Sequence, residues 1–463
     1  MKICFVFGKG VDGCGVTRGA LLFEQWLVKQ GHSTHIIDFD NKQNMLRAKS
    51  VVWVGGVVRV PHSDKKASDS VVRLVNECDI AIVHSYPTNK QWEYVERFRR
   101  FVEKISGPIV VMHDHGVGRQ TIASNPQSGE IFSRADVFVP QSTSGLSVRA
   151  HTSFDPGLTS RVIENPVWID PFPLLKFSKD FEERSKNFMY LGRTSVIKDP
   201  CMVCRVEKFF PKGWNFSMVG CERSISMFDP KSHLPIAERK NYGKFIADYK
   251  DQILYYLMDK NNKYSLTSWG AQDTNANRIY AYNQYIHSWG MEKLGESMVS
   301  WCGYRLQDKR DYGVRMEYTT IESFLLSLPI INRRFAENAY SPDGKLWGDY
   351  YGPLVSTIGE EEQLAEEVIK ISENKGEWED RTQACKELVI KFNNIDNLAP
   401  QFLSRVLAMG HRKDKSDPLS LMAKWFPNAL SHRQNGEILM SNTNSILKSN
   451  KMILDKNKQK ILK

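Results

Sequence analysis

Two histidines and an aspartate follow one another directly after an apolar run of the chain. His113, Asp114 and His115 come after residues 109–112, whose composition predicts a buried strand. In an extended chain the two imidazoles share one face and the carboxylate takes the other. Such groups can transfer protons or bind a metal ion, and a polar strand end with hydrogen-bonded imidazoles is the simpler alternative. His113, Asp114 and His115 are therefore candidate functional residues.

A glycine-rich segment, residues 8–17, lies between a predicted strand and a predicted helix. Its glycines match the spacing GxGxxG. Glycines let a backbone approach a diphosphate, and the N-terminus of a helix adds N–H donors and a favourable dipole. The motif alone fits phosphate binding, a dinucleotide site or a plain tight turn. Gly8, Gly10 and Gly13 carry that spacing, so this loop is a candidate for binding a phosphorylated ligand.

Charged residues also follow the first predicted strand of the second half of the chain. Arg193 and Lys198 come after the apolar run 187–191. Arginine can bind a diphosphate through two hydrogen bonds and lysine through a single positive charge, so the pair suits a diphosphate. The alternative is an ordinary pair of basic surface residues. Glu317 and Glu322 lie near the start of another predicted helix. They either complement the helix dipole or bind the hydroxyl groups of a sugar.

The elements that would position these residues are short apolar strands alternating with helices. In the first part of the chain we predict strands at 2–7, 35–39, 51–54, 80–84, 109–112 and 137–140 and helices at 20–30, 70–76 and 91–105. Continuous apolar strands alternating with helices indicate a parallel sheet that is covered on both faces. Ligands of such sheets bind at the carboxyl ends of the strands, where His113 and Asp114 lie.

A change of composition near residues 164–173 predicts a linker to a second α/β domain. There we predict strands at 187–191, 216–219, 298–301 and 328–332 and a helix at 360–372. The aromatic, Asn-rich stretch 230–285 is interpreted as an insertion. The predicted domains are therefore 1–165, 166–409 and a basic, partly disordered tail at 410–463.

Composition and charge limit the class of protein. The 463 residues are 41% hydrophobic and 25% charged, as in ordinary globular proteins. No run approaches the roughly 18 apolar residues of a membrane span. Eight scattered cysteines predict reduced thiols, and the lone pair Cys201 and Cys204 lacks the second ligand pair of a zinc site. We therefore predict no metal site.

The net charge is +10, and most of the excess lies in the tail. Residues 412–463 hold 11 Lys and Arg against 4 Asp and Glu, a net charge of +7. This composition fits either a polyanion partner such as DNA or a solvated, frayed terminus.

Taken together, these segments resemble the DNA alpha-glucosyltransferases of T-even bacteriophages. The resemblance is carried by residues 2–4, 10–17, 74–80, 113–115, 134–137, 192–194, 222–224, 303–304 and 317–322. It covers most of residues 1–409 in order, so it is far more specific than any single motif.

The resemblance implies an α/β fold of the GT-B type, with two Rossmann-like domains facing across a cleft, the first on the acceptor side. It implies transfer of a sugar, with retention of configuration, from a UDP-sugar to the hydroxymethyl group of a modified cytosine in double-stranded phage DNA. His113 and Asp114 would lie at the reacting sugar. The donor-binding residues that it implies are Gly13, Gly15, Val16, Arg193, Lys198, Glu222, Arg223, Glu317, Tyr318, Thr319 and Glu322.

The resemblance also implies a monomeric enzyme of the host cytoplasm that protects phage DNA from host nucleases. No tightly bound cofactor and no membrane partner are expected, and a divalent cation is expected at most to stimulate. The chain departs from the family in its longer insertion and in its tail. The donor is therefore predicted as UDP-glucose with UDP-arabinose as the alternative. A non-DNA acceptor and a sugar already attached to DNA also stay open as acceptors.

Overall fold

The computed structural model describes residues 1–8, 15–39, 53–60, 69–85, 92–114, 126–140, 151–163, 167–192, 202–219, 269–274, 277–282, 287–302, 318–333, 355–356 and 361–415. The chain divides into two compact units. Unit 1 comprises Met1–Trp168 and Ile395–Lys463, and unit 2 comprises Ile169–Asn394.

Unit 1 is built on a parallel sheet. Its strands are β1 (Lys2–Phe7), β2 (Ser33–Phe39), β3 (Gly56–Val60), β4 (Ile80–Ser85), β5 (Ile109–Asp114) and β6 (Val137–Pro140). They lie in the order β3-β2-β1-β4-β5-β6, and every neighbouring pair is parallel. The strand predicted at 51–54 is wrong: residues 53–55 precede the strand, which runs along Gly56–Val60. The other strands predicted for this part of the chain are confirmed within two residues at each end.

Helices cover both faces of this sheet. They are α1 (Gly15–Lys29), α2 (Asp69–Asn76), α3 (Trp92–Glu103), α4 (Pro126–Ser133) and, from the end of the chain, Ile395–Met409, which is α11 in chain order. Phe23 of α1 and Phe402 of α11 pack on one face, and Phe101 of α3 and Phe132 of α4 pack on the other. Each such buried side chain contributes about 1.5–3 kcal/mol to folding. Gly31, with a left-handed φ of 79°, ends α1 as its position predicts.

Unit 2 is built on a second sheet. Its strands are β7 (Ser185–Leu191), β8 (Asn215–Val219), β9 (Trp269–Thr274), β10 (Asn277–Tyr282), β11 (Ser297–Trp301), β12 (Ile330–Arg333) and β13 (Val355–Ser356). Their order is β13-β12-β11-β7-β8-β10-β9, and only β9 and β10 pair antiparallel. β9 and β10 fall within the predicted insertion at 230–285, so part of that stretch extends the sheet.

The helices of unit 2 are α5 (Phe172–Leu175), α6 (Met202–Arg205), α7 (His287–Glu296), α8 (Tyr318–Leu325), α9 (Glu361–Glu373) and α10 (Lys375–Asn393). Aromatic side chains from the strands fill the core beside α6 and α9. Phe188, Phe216 and Trp301 pack there with Val368 of α9 and Trp378 of α10. The helix predicted at 360–372 is confirmed as α9.

A buried arginine ties the start of β7 to three other parts of unit 2. The Arg184 guanidinium donates to the carbonyls of Lys179 (2.7 and 3.0 Å), Ser297 (3.1 Å) and Leu326 (2.6 Å). It also lies 4.8 Å from the ring centre of Trp378. Burial lowers the pKa of Arg184 to about 10, which leaves it charged at neutral pH. The side chain therefore acts as a fixed cross-link.

The division of the chain differs from the predicted domains at the end of the chain. The first boundary, after Trp168, lies close to the predicted residue 165. The region 395–409, which the sequence predicts as part of the second domain, instead forms α11 and covers the sheet of unit 1. The two ends of unit 2 lie together, because the Ile169 N–H donates to the Asn393 carbonyl at 2.7 Å and Ile169 pairs with Asn394.

The segment after α11 is attached to the amino edge of the unit 1 sheet. The Arg412 backbone N–H donates to Asp136 at 2.7 Å, and its guanidinium donates to Asp155 at 2.9 Å. Lys415 forms an ion pair with Asp136 at 2.8 Å. Asp136 directly precedes β6, so these contacts lie opposite the carboxyl edge. The charges of Arg412 and Lys415, which we counted in the basic tail, are therefore neutralised within unit 1.

Candidate active site

The order of strands in unit 1 marks where a ligand would bind. The chain moves outward from β1 through β2 to β3 and then returns to the other side of β1 with β4. In open parallel sheets, ligands bind at the carboxyl ends of the strands where the order reverses. β1 ends there at Phe7 and β4 at Ser85.

α1 begins beside this point with an exposed Gly15 and a half-buried Val16. Both were predicted as donor-binding residues, and their N–H groups lie in the first turn, where a helix has donors to offer. Gly13 lies outside the described residues.

His113 and Asp114 are the last two residues of β5 and point to opposite faces of the sheet, as the strand pattern predicts. The His113 ring lies 4.6 Å from the ring of His84 and 5.9 Å from that of Phe402. Both histidines are 3% exposed. His115 lies outside the described residues, so the prediction that His113 and His115 share one face of the strand stays a prediction.

His84 also lies at this edge, and no sequence motif indicates it. It is the penultimate residue of β4, at the point where the strand order reverses, and its ring stacks on Phe7 at 5.4 Å. The one feature of the sequence that could have indicated His84 is its position as a polar residue directly after the apolar run 80–83. The structure therefore places two imidazoles, from two adjacent strands, at the carboxyl edge.

Asp114 is fully buried on the other face. Its Oδ2 lies 3.2 Å from Nε2 of His151, which is also fully buried. The His151 ring packs against Phe132 at 4.0 Å and Phe138 at 4.8 Å. His151 was not predicted, because it is 37 residues from Asp114 in the chain and no motif surrounds it.

In unit 2 two predicted elements come to one edge of the sheet. The order of strands reverses between β7 and β11. Gly192 follows β7 with a φ of 152°, a backbone conformation that residues with a side chain rarely adopt, so glycine is favoured there. α8 links β11 to β12, and its N-terminus therefore lies at the same carboxyl edge.

Three predicted donor-binding residues lie on α8. Tyr318 and Thr319 form its half-buried first turn, and Glu322 is 1% exposed in its second turn. The remaining predicted residues of unit 2 lie outside the described residues: Arg193, Lys198, Glu222, Arg223 and Glu317. The structure therefore brings together only the α8 residues and the glycine that precedes Arg193.

Two findings concern metals and membranes. Among the described residues, no three His, Cys, Asp or Glu side chains converge in the way that metal ligands do. None of the described helices has the length and apolar character required to span a bilayer. Of the predicted thiol pair, Cys201 lies outside the described residues.

Comparisons with known proteins address the family. The family model for DNA alpha-glucosyltransferase matches residues 14–158. The DNA alpha-glucosyltransferase of Enterobacteria phage T4 is 28% identical over 242 residues, which are 48% of this chain and 59% of that protein. The alignment thus spans about three fifths of the length of the curated relative.

The predicted resemblance to the DNA alpha-glucosyltransferase family is confirmed.

Solved structures agree on the fold. An alpha-glucosyltransferase in complex with UDP-glucose and DNA containing an abasic site matches with a TM-score of 0.63 and 20% identity, over 88% of this chain and 99% of that one. HepE of Anabaena in complex with UDP-glucose matches with a TM-score of 0.56 and 11% identity, over 88% of this chain and all of that one. The α/β fold of the GT-B type is therefore confirmed as well.

The DNA alpha-glucosyltransferase match falls on the site in unit 1. Residues 14–158 include the start of α1 and four side chains of the carboxyl edge or its buried side: His84, His113, Asp114 and His151. The candidate donor-binding residues of unit 2 lie outside that stretch.

Proposed function

We propose that the chain is a DNA glycosyltransferase that moves glucose from UDP-glucose to 5-hydroxymethylcytosine in double-stranded phage DNA, with retention of configuration. The observation that carries the proposal is the match of residues 14–158 to the DNA alpha-glucosyltransferase family, because it includes the strand end with His113 and Asp114. The fold match to an alpha-glucosyltransferase bound to UDP-glucose and DNA supports the same pair of substrates.

The chemistry assigns a role to each group of residues. The bond between C1 of glucose and the UDP oxygen breaks, C1 bonds to the hydroxymethyl oxygen of the base, and the hydroxyl proton is released. His113 and Asp114 act at the reacting sugar, where a positive charge develops that a carboxylate stabilises. Arg193 and Lys198 stabilise the negative charge of the departing diphosphate.

The donor is held by the remaining candidates. Glu317 and Glu322 accept hydrogen bonds from the hydroxyl groups of the sugar and the ribose. The N-terminal turns of α1 and α8 supply backbone donors to the UDP-sugar. We further propose that the enzyme is a monomer of the host cytoplasm, that glucosylation protects phage DNA from host nucleases, and that a divalent cation stimulates but is not required.

The deciding experiment combines several sugars and several acceptors. The protein is incubated with UDP-glucose or UDP-arabinose and with DNA that contains either hydroxymethylcytosine or cytosine, and the digested nucleosides are weighed by mass spectrometry. A hexose adduct on hydroxymethylcytosine alone supports the proposal. A pentose adduct assigns the arabinose donor instead, and no adduct with any UDP-sugar rejects DNA as the acceptor. Parallel reactions with Mg²⁺ or with EDTA test the role of the cation.

Replacement of Arg193 or Lys198 by Ala is expected to weaken the binding of UDP. Each substitution removes a charged hydrogen bond to the diphosphate, which is worth about 1.5–3 kcal/mol. Isothermal titration calorimetry with UDP measures the change, and Lys186→Ala, an exposed lysine in β7, is the matched control. If both variants bind UDP with unchanged affinity, Arg193 and Lys198 are ordinary surface cations and do not bind the diphosphate.

Removal of residues 436–463 is expected to weaken the binding of DNA without an effect on the donor. This segment holds six lysines against Glu437 and Asp455, and it excludes Arg412 and Lys415, which pair within unit 1. Each phosphate that the protein no longer neutralises should flatten the dependence of log affinity on log salt by about 0.9. The apparent KM for DNA should rise, and the hydrolysis of UDP-glucose without DNA should stay unchanged. A truncated enzyme with the salt slope of the full chain would show that these lysines only solubilise the protein.

A further inference from the structure

The carboxyl end of β5 holds a pair of fully buried ionisable side chains. Asp114 and His151 both have no exposed surface, and Oδ2 of the one lies 3.2 Å from Nε2 of the other. A carboxylate without a donor in such a place would lose its charge or turn away, because an isolated buried charge is very unfavourable. Nε2 of His151 lies where it can donate to this carboxylate.

The surroundings of His151 determine which of its nitrogens carries the proton. The ring is enclosed by Phe132 and Phe138, at 4.0 and 4.8 Å between ring centres. Within the described part of the chain, its Nδ1 is buried and has no hydrogen-bond partner. A proton on Nδ1 would be a buried donor without an acceptor, which is unfavourable. A proton on Nε2 therefore fits the site, and the Nε2–H group donates to Asp114.

The geometry points to His151 as a positioning residue for Asp114. Its Nε2–H group holds one carboxylate oxygen, which fixes the side-chain rotamer of Asp114. This inference rests on the proposed function, in which the Asp114 carboxylate acts on the reacting sugar. The same logic applies to metal sites and catalytic triads, where a buried partner orients the group that acts.

A purely structural pair would behave differently from a positioning pair. If His151 only fills the core, its loss should reduce stability and should leave the turnover of the folded molecules unchanged. If it positions Asp114, its loss should reduce kcat of fully folded enzyme and leave the KM of the donor nearly unchanged, because Asp114 acts mainly in the transition state.

Two amide substitutions separate these cases. In His151→Gln the amide nitrogen lies near the place of Nε2 and can still donate to Asp114. In His151→Asn the shorter side chain places its nitrogen nearer the position of Nδ1. Both are polar and buried, so they are matched in their cost to the core. We expect kcat to fall about 10- to 100-fold in His151→Asn, as for other supporting partners that are removed. In His151→Gln we expect most of the activity to return.

A double-mutant cycle tests whether the effect passes through Asp114. His151→Asn should change kcat little in an Asp114→Asn background, because the charge that it positions is already absent. Arg99→Met is the control for a broken buried ion pair. Arg99 joins Glu130 at 3.3 Å between α3 and α4, and its loss should reduce the melting temperature while kcat of the folded enzyme is kept.

The experiment uses the full chain with UDP-glucose and hydroxymethylcytosine DNA, and thermal unfolding establishes that each variant is folded. Equal kcat in His151→Gln, His151→Asn and the wild type would overturn the inference alone. Equal losses in the two amide variants, or a full additional loss in the Asp114→Asn background, would also overturn it. A wild-type protein without turnover on any sugar and acceptor would overturn the proposed function, and this inference with it.

Discussion

Replacement of Asp114 by Asn is expected to lower kcat roughly 100- to 1,000-fold, the loss typical of one preorganised electrostatic group. The affinity for UDP-glucose should change little. The substitution removes the negative charge at the end of β5 and keeps the shape of the side chain. The amide oxygen can still accept the hydrogen bond from Nε2 of His151, which lies 3.2 Å from the carboxylate. The fold should therefore survive, and only the stabilisation of the transition state is lost.

Single-turnover kinetics and calorimetry with UDP-glucose provide the two measurements. A large fall in the rate at unchanged donor affinity supports a role of Asp114 in the chemical step. The matched control is Asp79→Asn, which changes a carboxylate near the amino edge of the same sheet, where Asp79 accepts from the Lys2 N–H at 2.8 Å. Near-normal turnover of Asp114→Asn would make the buried pair a structural feature and would leave His113 as the sole candidate on β5.

Replacement of Arg184 by Met is expected to destabilise unit 2 by about 3–5 kcal/mol, the range found when one member of a buried charged network is removed. Arg184 donates four hydrogen bonds to the carbonyls of Lys179, Ser297 and Leu326. Methionine keeps the apolar stem of the side chain but cannot donate to these three carbonyls. Each buried carbonyl that loses its donor lowers the free energy of unfolding.

Denaturant unfolding followed by tryptophan fluorescence measures this loss, because Trp214, Trp301 and Trp378 all lie in the core of unit 2. Lys375→Met serves as the control. Its ion pair with Glu182, at 2.6 Å, is exposed to solvent, so its removal should hardly change the midpoint. A midpoint for Arg184→Met that equals the control would show that water replaces the guanidinium at those carbonyls.

The sequence alone was sufficient for most strands and for the position of His113 and Asp114 at the end of β5. β1 and β6 begin and end at the predicted residues, because each is a short apolar run bounded by polar or turn-forming residues. β3 was displaced in our prediction. The apolar run at 51–54 suggested a buried strand, but Val54 is 60% exposed and the strand that follows is an edge strand with only Val60 buried. Edge strands lack the continuous hydrophobicity on which the prediction relied.

The remaining differences arise from tertiary contacts. The pattern of α11 shows that it has an apolar face, but no local feature shows which sheet that face covers. The same holds for His151 and His84, which reach the site through neighbours that are distant in the chain. Arg412 looked like the first cation of the tail because its partner, Asp155, is 257 residues away.

The contacts of Ile169 with Asn393 and Asn394 bring the two ends of unit 2 together, which determines how the chain can be divided by protein engineering. The chain leaves unit 1 after Trp168 and returns to it at Ile395, and these two connections lie next to each other. Residues 169–394 are therefore a continuous segment inserted into unit 1, which is built from two separate segments of the chain. An amino-terminal fragment that stops at Trp168 would lack α11 and would expose the apolar side of its sheet. A short linker from Trp168 to Ile395 restores that cover, and the excised cassette can be circularised or given new termini without stretching its ends.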